Sequence, residues 1–354
     1  MRGPARFEPI CAVPALDESP REISTRSLAA PRAKRLVWLV WLVPALTAGI
    51  LAAVAVFGAR EGSSAPTPAT VTPQAAAPAQ PAITVQSSPI AVRRFGPLSP
   101  GLPDPPVVTA RSYLLVNLDT RETLAERDAE RPVAIASLTK IATALAALSL
   151  GKLDQVVTVS EAAAAEPPNV MGLVAGDRLT LEELLYGLLL DSGNDAAHAI
   201  ADAVGGEGVL VEKMNQLARD LGLRSTHFAN SAGYDDPAAY STARDLAVLT
   251  AFALETSPEF RAIIATERKV LESSPDHGWY GPANINRLLS EYPGAYGVKP
   301  GFTDEAGYTL VAAVERGGVD LIAVVLGAQK HFSDAESLLD FGYSLYARPD
   351  SPAG

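Results

Sequence analysis

The spacing of apolar and polar positions divides this chain into stretches of different physical character. From Leu36 to Ala59 no charged residue occurs. As a helix rising 1.5 Å per residue, that run spans about 36 Å, enough to cross a hydrocarbon core of about 30 Å. We read residues 36–59 as a transmembrane helix. Arg32, Lys34 and Arg35 stand just before it and few charges follow, which makes residues 1–35 a cytoplasmic leader and sets Trp38 and Trp41 near the inner interface. Signal sequences usually carry about 7–15 apolar residues behind a short basic region. Both core and leader are longer here, so the anchor is read as uncleaved, although Gly58-Ala59 would suit a peptidase.

From Glu61 to Val107 the chain is dominated by Pro, Ala, Ser and Thr, with Phe95 its only aromatic residue. Residues 60–107 therefore read as a disordered linker, reaching roughly 40 Å as a coil. Regular periods then return. Ser112 to Asn117 and Glu122 to Glu126 read as a hairpin around Asp119-Thr120, while Ile141, Leu145 and Leu148 recur at helical spacing through an alanine-rich run. Further helices are predicted at Leu181 to Leu190, Asp195 to Val204, Gly208 to Leu221 and Thr242 to Glu255. Strands Tyr308 to Glu315 and Val319 to Gly327 meet at Gly317-Gly318, a tight-hairpin signal, and Phe332 to Tyr346 closes as a helix. Strands at both ends with helices between them imply that the ends share one sheet, an α+β arrangement with a helical lobe. The folded domain is set at residues 108–348, with 349–354 as a tail.

Composition narrows the chemistry. The net charge of -11 argues against nucleic acid as a partner of the folded part. Cys11 is the sole cysteine and falls in the leader, so the domain outside the membrane has no thiols and no disulfides. The histidines, His198, His227, His277 and His331, show no zinc-peptidase spacing. No cofactor or metal is expected.

Three short motifs carry the chemistry: Ser137-Leu138-Thr139-Lys140, Ser192-Gly193-Asn194 and Lys299-Pro300-Gly301. Residues three apart share a helix face, so the Lys140 amine can take the Ser137 proton if burial keeps it neutral. With Pro132 upstream, Ser137 is expected in the first turn of its helix, where free backbone N–H groups favour an oxyanion. A serine three residues before a lysine arises about once by chance at this length. Ser149-Leu150-Gly151-Lys152 is such a pair, but Gly151 falls where the helix should stop. Alone, Ser192-Gly193-Asn194 would pass for a helix cap or turn, and Lys299-Pro300-Gly301 for a surface turn.

Together with Asp191-Ser192-Gly193-Asn194-Asp195-Ala196-Ala197, Ser241-Thr242-Ala243-Arg244-Asp245-Leu246 and Gly297-Val298-Lys299-Pro300-Gly301-Phe302-Thr303-Asp304-Glu305-Ala306-Gly307-Tyr308, these motifs resemble the serine D-alanyl-D-alanine carboxypeptidases, peptidase family S11. The likeness runs from about Ser112 to about Tyr346, roughly two thirds of the chain. It implies a β-lactamase/transpeptidase-like fold, an antiparallel sheet flanked by helices plus a helical lobe. It also implies peptidoglycan stem peptides ending in D-Ala-D-Ala as substrate and β-lactam antibiotics as acylating inhibitors. On it, Ser137 is the acylated nucleophile, Lys140 its base, Ser192 the proton relay to the leaving amine, and Asn194 the group orienting Lys140 and the substrate amide. Lys299 supplies positive potential to the terminal carboxylate, Gly301 keeps the strand bare, and Phe302 gives the second oxyanion N–H, with Thr303 beside it in substrate binding.

The third motif departs from the family, which has threonine where this chain has Pro300. An arginine expected just before the last helix is replaced by the run Lys330, His331, Phe332, Ser333. Other readings use the same residues: an endopeptidase on crosslinked peptides, or a wall-binding protein weak in catalysis, favoured by Pro300. Glu166-Pro167-Pro168-Asn169 resembles the deacylating segment of class A β-lactamases, but it precedes the Ser-Gly-Asn motif instead of following it.

Overall fold

The computed structural model describes residue 90 and residues 92–346. The chain divides into two units, 1–81 and 82–354, and the described residues belong to the second. The expected leader, transmembrane helix and tail, with most of the linker, lie outside the described residues. Among those described, no helix is long and apolar enough to cross a membrane.

In chain order the elements are β1 (Ser112–Asn117), β2 (Thr123–Arg127), a 3-10 turn (Ala136–Leu138), α1 (Thr139–Leu150), β3 (Val156–Thr158), α2 (Glu161–Ala164) and β4 (Arg178–Thr180). There follow α3 (Leu181–Leu189), α4 (Asn194–Ala203), α5 (Glu207–Asp220), α6 (Ala243–Thr256), α7 (Pro258–Ile264) and α8 (Leu288–Glu291). The chain closes with β5 (Ala295–Thr303), β6 (Gly307–Arg316), β7 (Val319–Ala328) and α9 (His331–Ser344). The main sheet is antiparallel, in the order β2-β1-β7-β6-β5. The two ends of the domain do meet in it, through β1 and β7.

Alternate residues of the central strands serve two cores. Leu114, Val116, Val311, Ala313, Ile322 and Val324 face the cluster shared with the helical lobe, and Tyr113, Leu115, Leu310, Ala312, Val314, Leu321, Ala323 and Val325 face the cluster shared with α9. Burial on both faces explains why β7 reads as an unbroken apolar run. The β6–β7 turn takes φ +61 at Gly317 and +77 at Gly318, the double left-handed geometry of a tight hairpin. Helix α1 is buried from Thr139 to Ala147, and its alanines let neighbouring helices approach closely. A capping box between Thr180 and Glu183 starts α3.

Residues 92–107 differ from the linker reading. Phe95 is buried under the Arg121 guanidinium, 5.0 Å from the ring centroid, and Arg94 donates to Leu221 O at 2.6 Å. With backbone bonds to the β1–β2 hairpin, from Gly96 N to Arg121 O and from Ser99 N to Thr123 O, these side chains hold a segment whose composition argues against folding.

Candidate active site

Ser137 lies in the 3-10 turn that leads into α1, one turn earlier than the regular helix. Ala136 before it has φ +51, a left-handed conformation that costs a non-glycine residue roughly 1–2 kcal/mol. One helical step on, Lys140 is fully buried, its Nζ 3.2 Å from Ser137 Oγ, 2.8 Å from Asn194 Oδ1 and 2.6 Å from Ala232 O. Burial pulls the amine's pKa from 10.5 to about 7, against the opposing pull of Asp195 and Glu166. Two of its three partners are carbonyl oxygens that only accept. When the amine is neutral, its two hydrogens satisfy them and its lone pair is left for the Ser137 proton.

The Ser192-Gly193-Asn194 motif forms the opposite wall, at the start of α4. Ser192 has φ +61, and its buried Oγ has no hydrogen-bond partner among the described residues. A buried hydroxyl costs free energy unless something uses it. Asn194 donates from Nδ2 to Pro167 O at 2.9 Å while its Oδ1 accepts from Lys140. Asp195 accepts from the backbone N–H groups of Met171, Gly172 and Leu173 at 2.8 to 2.9 Å, pinning the loop that passes over the motif.

The third wall is β5, an edge strand paired only with β6. Proline is tolerated there, at Pro300, because an edge leaves one side of the backbone free of ladder bonds. A Cβ on Gly301 would fall 2.8 Å from Thr309 Oγ1 and 2.9 Å from Ser137 N, so the strand reaches the nucleophile's backbone only because the residue is glycine. Lys299 is fully buried and its Nζ donates to Pro300 O at 3.2 Å. Burial, then Lys140, holds its pKa well below the ordinary lysine value. Phe302 is 52% exposed, and Thr303 Oγ1 accepts from Ala306 N at 3.1 Å.

Ser137, Ser192, Asn194, Gly301, Phe302 and Thr303 line one cleft of about 380 Å³, while Lys140 and Lys299 are fully buried behind its lining. All eight residues singled out in the sequence are thus in one place. Tyr308, His331 and Phe332 also line the cleft; the sequence showed Tyr308 only inside the third motif's run, and His331 and Phe332 only as the run standing where an arginine was expected. Tyr234 and Ile285, which line it too, were missed, because they come from loops where no period marks them. Tyr234 donates to Glu166 at 2.5 Å, and burial followed by that carboxylate pushes its phenol pKa upward. Glu166 is also 2.7 Å from His198 Nδ1. Burial raises the Glu166 carboxyl, but the hydrogen bonds from Tyr234 and His198 outweigh it and hold the pKa below the usual range. Among the described residues, no group of three or more His, Cys, Asp or Glu is placed to hold a metal ion. The arrangement is one that a serine nucleophile with a buried amine as its base would require. Ser149 has no such setting: its Oγ donates to Ala146 O at 2.8 Å, and α1 ends at Leu150 before Gly151.

A profile of the D-alanyl-D-alanine carboxypeptidase family matches residues 101–330, and the chain belongs to that family. A D-alanyl-D-alanine carboxypeptidase of Bacillus subtilis is 36% identical over 246 residues, covering 67% of this chain and 63% of that protein. One of Mycobacterium tuberculosis is 36% identical over 252 residues, covering 69% of this chain and 84% of that protein. Among solved structures, a Streptomyces DD-transpeptidase superposes with a TM-score of 0.65 at 35% identity, over 68% of this chain and all of that one (100%).

Proposed function

We propose that this protein is a membrane-anchored serine DD-carboxypeptidase that removes the terminal D-Ala from peptidoglycan stem peptides through an acyl-enzyme. The observation that carries the reading is the Lys140 amine, drawn toward neutrality by burial and held by two carbonyl acceptors with Ser137 Oγ at 3.2 Å. Ser137 Oγ attacks the carbonyl of the penultimate D-Ala as its proton passes to Lys140. The oxyanion is received by the backbone N–H groups of Ser137 and Phe302. Ser192, whose hydroxyl has no other partner among the described residues, passes a proton to the departing amine, and water then hydrolyses the Ser137 ester. β-Lactams acylate the same serine. The span at residues 36–59 anchors the enzyme, with the catalytic domain outside the bacterial membrane.

The test uses the full chain in membranes, incubated with labelled penicillin and with a synthetic pentapeptide. Label on Ser137 and release of one D-Ala are expected, lost in Ser137→Ala and kept in Ser149→Ala. Label that survives Ser137→Ala would refute the assignment.

A further inference from the structure

On the reading above, the terminal carboxylate of the substrate falls beside Pro300 to Thr303, where the cleft is closed by the start of β6 and the first turn of α9. Among the described residues its lining contains no lysine, arginine, aspartate or glutamate. Lys299 is fully buried, donates to Pro300 O, and is pulled toward its neutral form. His331 lines the cleft, but burial and then Arg287 lower its pKa to about 4, so it is uncharged near neutral pH. Arg287 lies 4.6 Å from the Phe332 ring and is paired with Glu291 at 3.3 Å.

Rings stand where a cation would be needed. Phe302 and Tyr308 are 4.6 Å apart, Tyr308 and His331 stack at 4.8 Å, and His331 and Phe332 meet at 4.1 Å. Phe302 is 52% and Tyr308 41% exposed, leaving a run of ring surface open to a ligand. A free carboxylate brought here would lose water and meet no cationic side chain in the lining. An amide would lose far less, and its flat face suits the rings.

We propose that the leaving-group side of this cleft selects an uncharged leaving group: a D-alanyl peptide whose leaving amine has no free carboxylate beside it, as in a C-terminal carboxamide or in a stem crosslinked through a lysine-type side chain. Phe302, Tyr308, His331 and Phe332 are the residues that set this preference. The inference rests on the site being a D-Ala-D-Ala peptidase and changes only which leaving group it favours.

The test compares an N-acylated Lys-D-Ala-D-Ala peptide as free acid and as C-terminal carboxamide, with a crosslinked stem dimer as a third substrate, on the full-length enzyme. The carboxamide is expected to be cut with kcat/KM at least equal to that of the acid. His331→Lys, which sets an ammonium in the lining, should move the acid-to-amide ratio toward the acid by at least about tenfold. Cleavage of both carboxamide and dimer identifies crosslinked stems as the source, and cleavage of the carboxamide alone identifies amidated monomers. A wild-type preference of tenfold or more for the acid, with Ser137 still acylated by penicillin, would overturn the inference and leave the peptidase reading standing. Failure of all three peptides, with no penicillin label on Ser137, would overturn both.

Discussion

Replacing Lys140 by methionine separates what the buried amine does for catalysis from what it does to the fold. In the folded chain its pKa falls from 10.5 to about 7 through burial, and at about 1.4 kcal/mol per pH unit this disfavours the fold by roughly 5 kcal/mol at pH 7 and below. The sign follows from proton counting. Between about pH 7 and 10.5 the unfolded chain still holds the proton that the folded chain has released, so stability rises with pH across that window. Methionine removes this penalty with little change of volume. It also strips Asn194 Oδ1 and Ala232 O of their donor, at about 1–3 kcal/mol for each buried oxygen left unpaired. At pH 7 the variant should therefore lie between about 1 kcal/mol less and about 3 kcal/mol more stable than the parent, yet unacylated. By pH 10 the parent should have regained roughly 4 kcal/mol and overtaken it. Urea unfolding of both proteins at pH 7, 8.5 and 10 measures the difference, and subtraction removes the other titrating groups except Lys299. That amine is partly depressed by Lys140, so losing the cation eases it and adds to the same trend. A stability difference that stays constant from pH 7 to 10 would mean that Lys140 is protonated in the folded state, and its assignment as the base would fail.

Gly301→Ala sets a methyl 2.9 Å from Ser137 N; penicillin acylation should fall on the order of 10²-fold with the unfolding midpoint little changed, and normal acylation would show that β5 can retreat. Pro300→Thr adds a hydroxyl on the substrate-facing strand and should raise kcat/KM on the free-acid peptide by roughly 10- to 150-fold, with a smaller change in penicillin acylation; no gain would show that the carboxylate is read elsewhere. Glu166→Gln removes one of the two anions that support the Lys140 proton, so the acid limb of the acylation profile should move below about pH 7; an unmoved limb would leave Asp195 as the sole compensating charge. In intact cells or spheroplasts an impermeant thiol reagent should leave Cys11 unlabelled, while added protease releases the catalytic domain; labelling without lysis would reverse the topology.

The long helices, β6 and β7 were legible because their periods run unbroken for eight or more residues and paired glycines marked the turn at Gly317-Gly318. The shorter β1 and β2 were read as a hairpin around Asp119-Thr120, and the pattern of β5, broken by Gly297, Pro300 and Gly301, did not read as a strand. Element ends moved by a residue or two: β2 runs Thr123–Arg127 and α4 begins at Asn194. The short elements β3, α2, β4, α7 and α8 left no periodic signal, and tertiary contacts define them. Ser137 was placed in a first helical turn on spacing alone, whereas the structure winds it into a tighter turn behind the left-handed Ala136. Of the site, the three motifs were readable because their side chains do chemistry that few other residue types can do. The stacking of the aromatic rim was not. Phe302, Tyr308, His331 and Phe332 come from the end of one strand, the start of the next and the first turn of the last helix, and only folding stacks them.

Glu166 shows how far order along the chain can mislead about position in space. Glu166-Pro167-Pro168-Asn169 precedes the Ser-Gly-Asn motif, which counted against a deacylating role, yet the fold brings the segment onto that motif. Pro167 O accepts from Asn194, and Pro168 and Asn169 line the cleft. What then distinguishes Glu166 from a base for water is the direction of its carboxylate. One oxygen accepts from Tyr234 at 2.5 Å and the other lies 2.7 Å from His198, and those bonds hold its proton affinity below the usual range. A carboxylate so engaged is a poor proton acceptor and a good fixed anion. Its leverage on the reaction runs through Lys140, where with Asp195 it works against burial. The Lys140 pKa of about 7 is thus a balance between a dry site and two anions, the state that the proposed exchange of a proton with Ser137 requires.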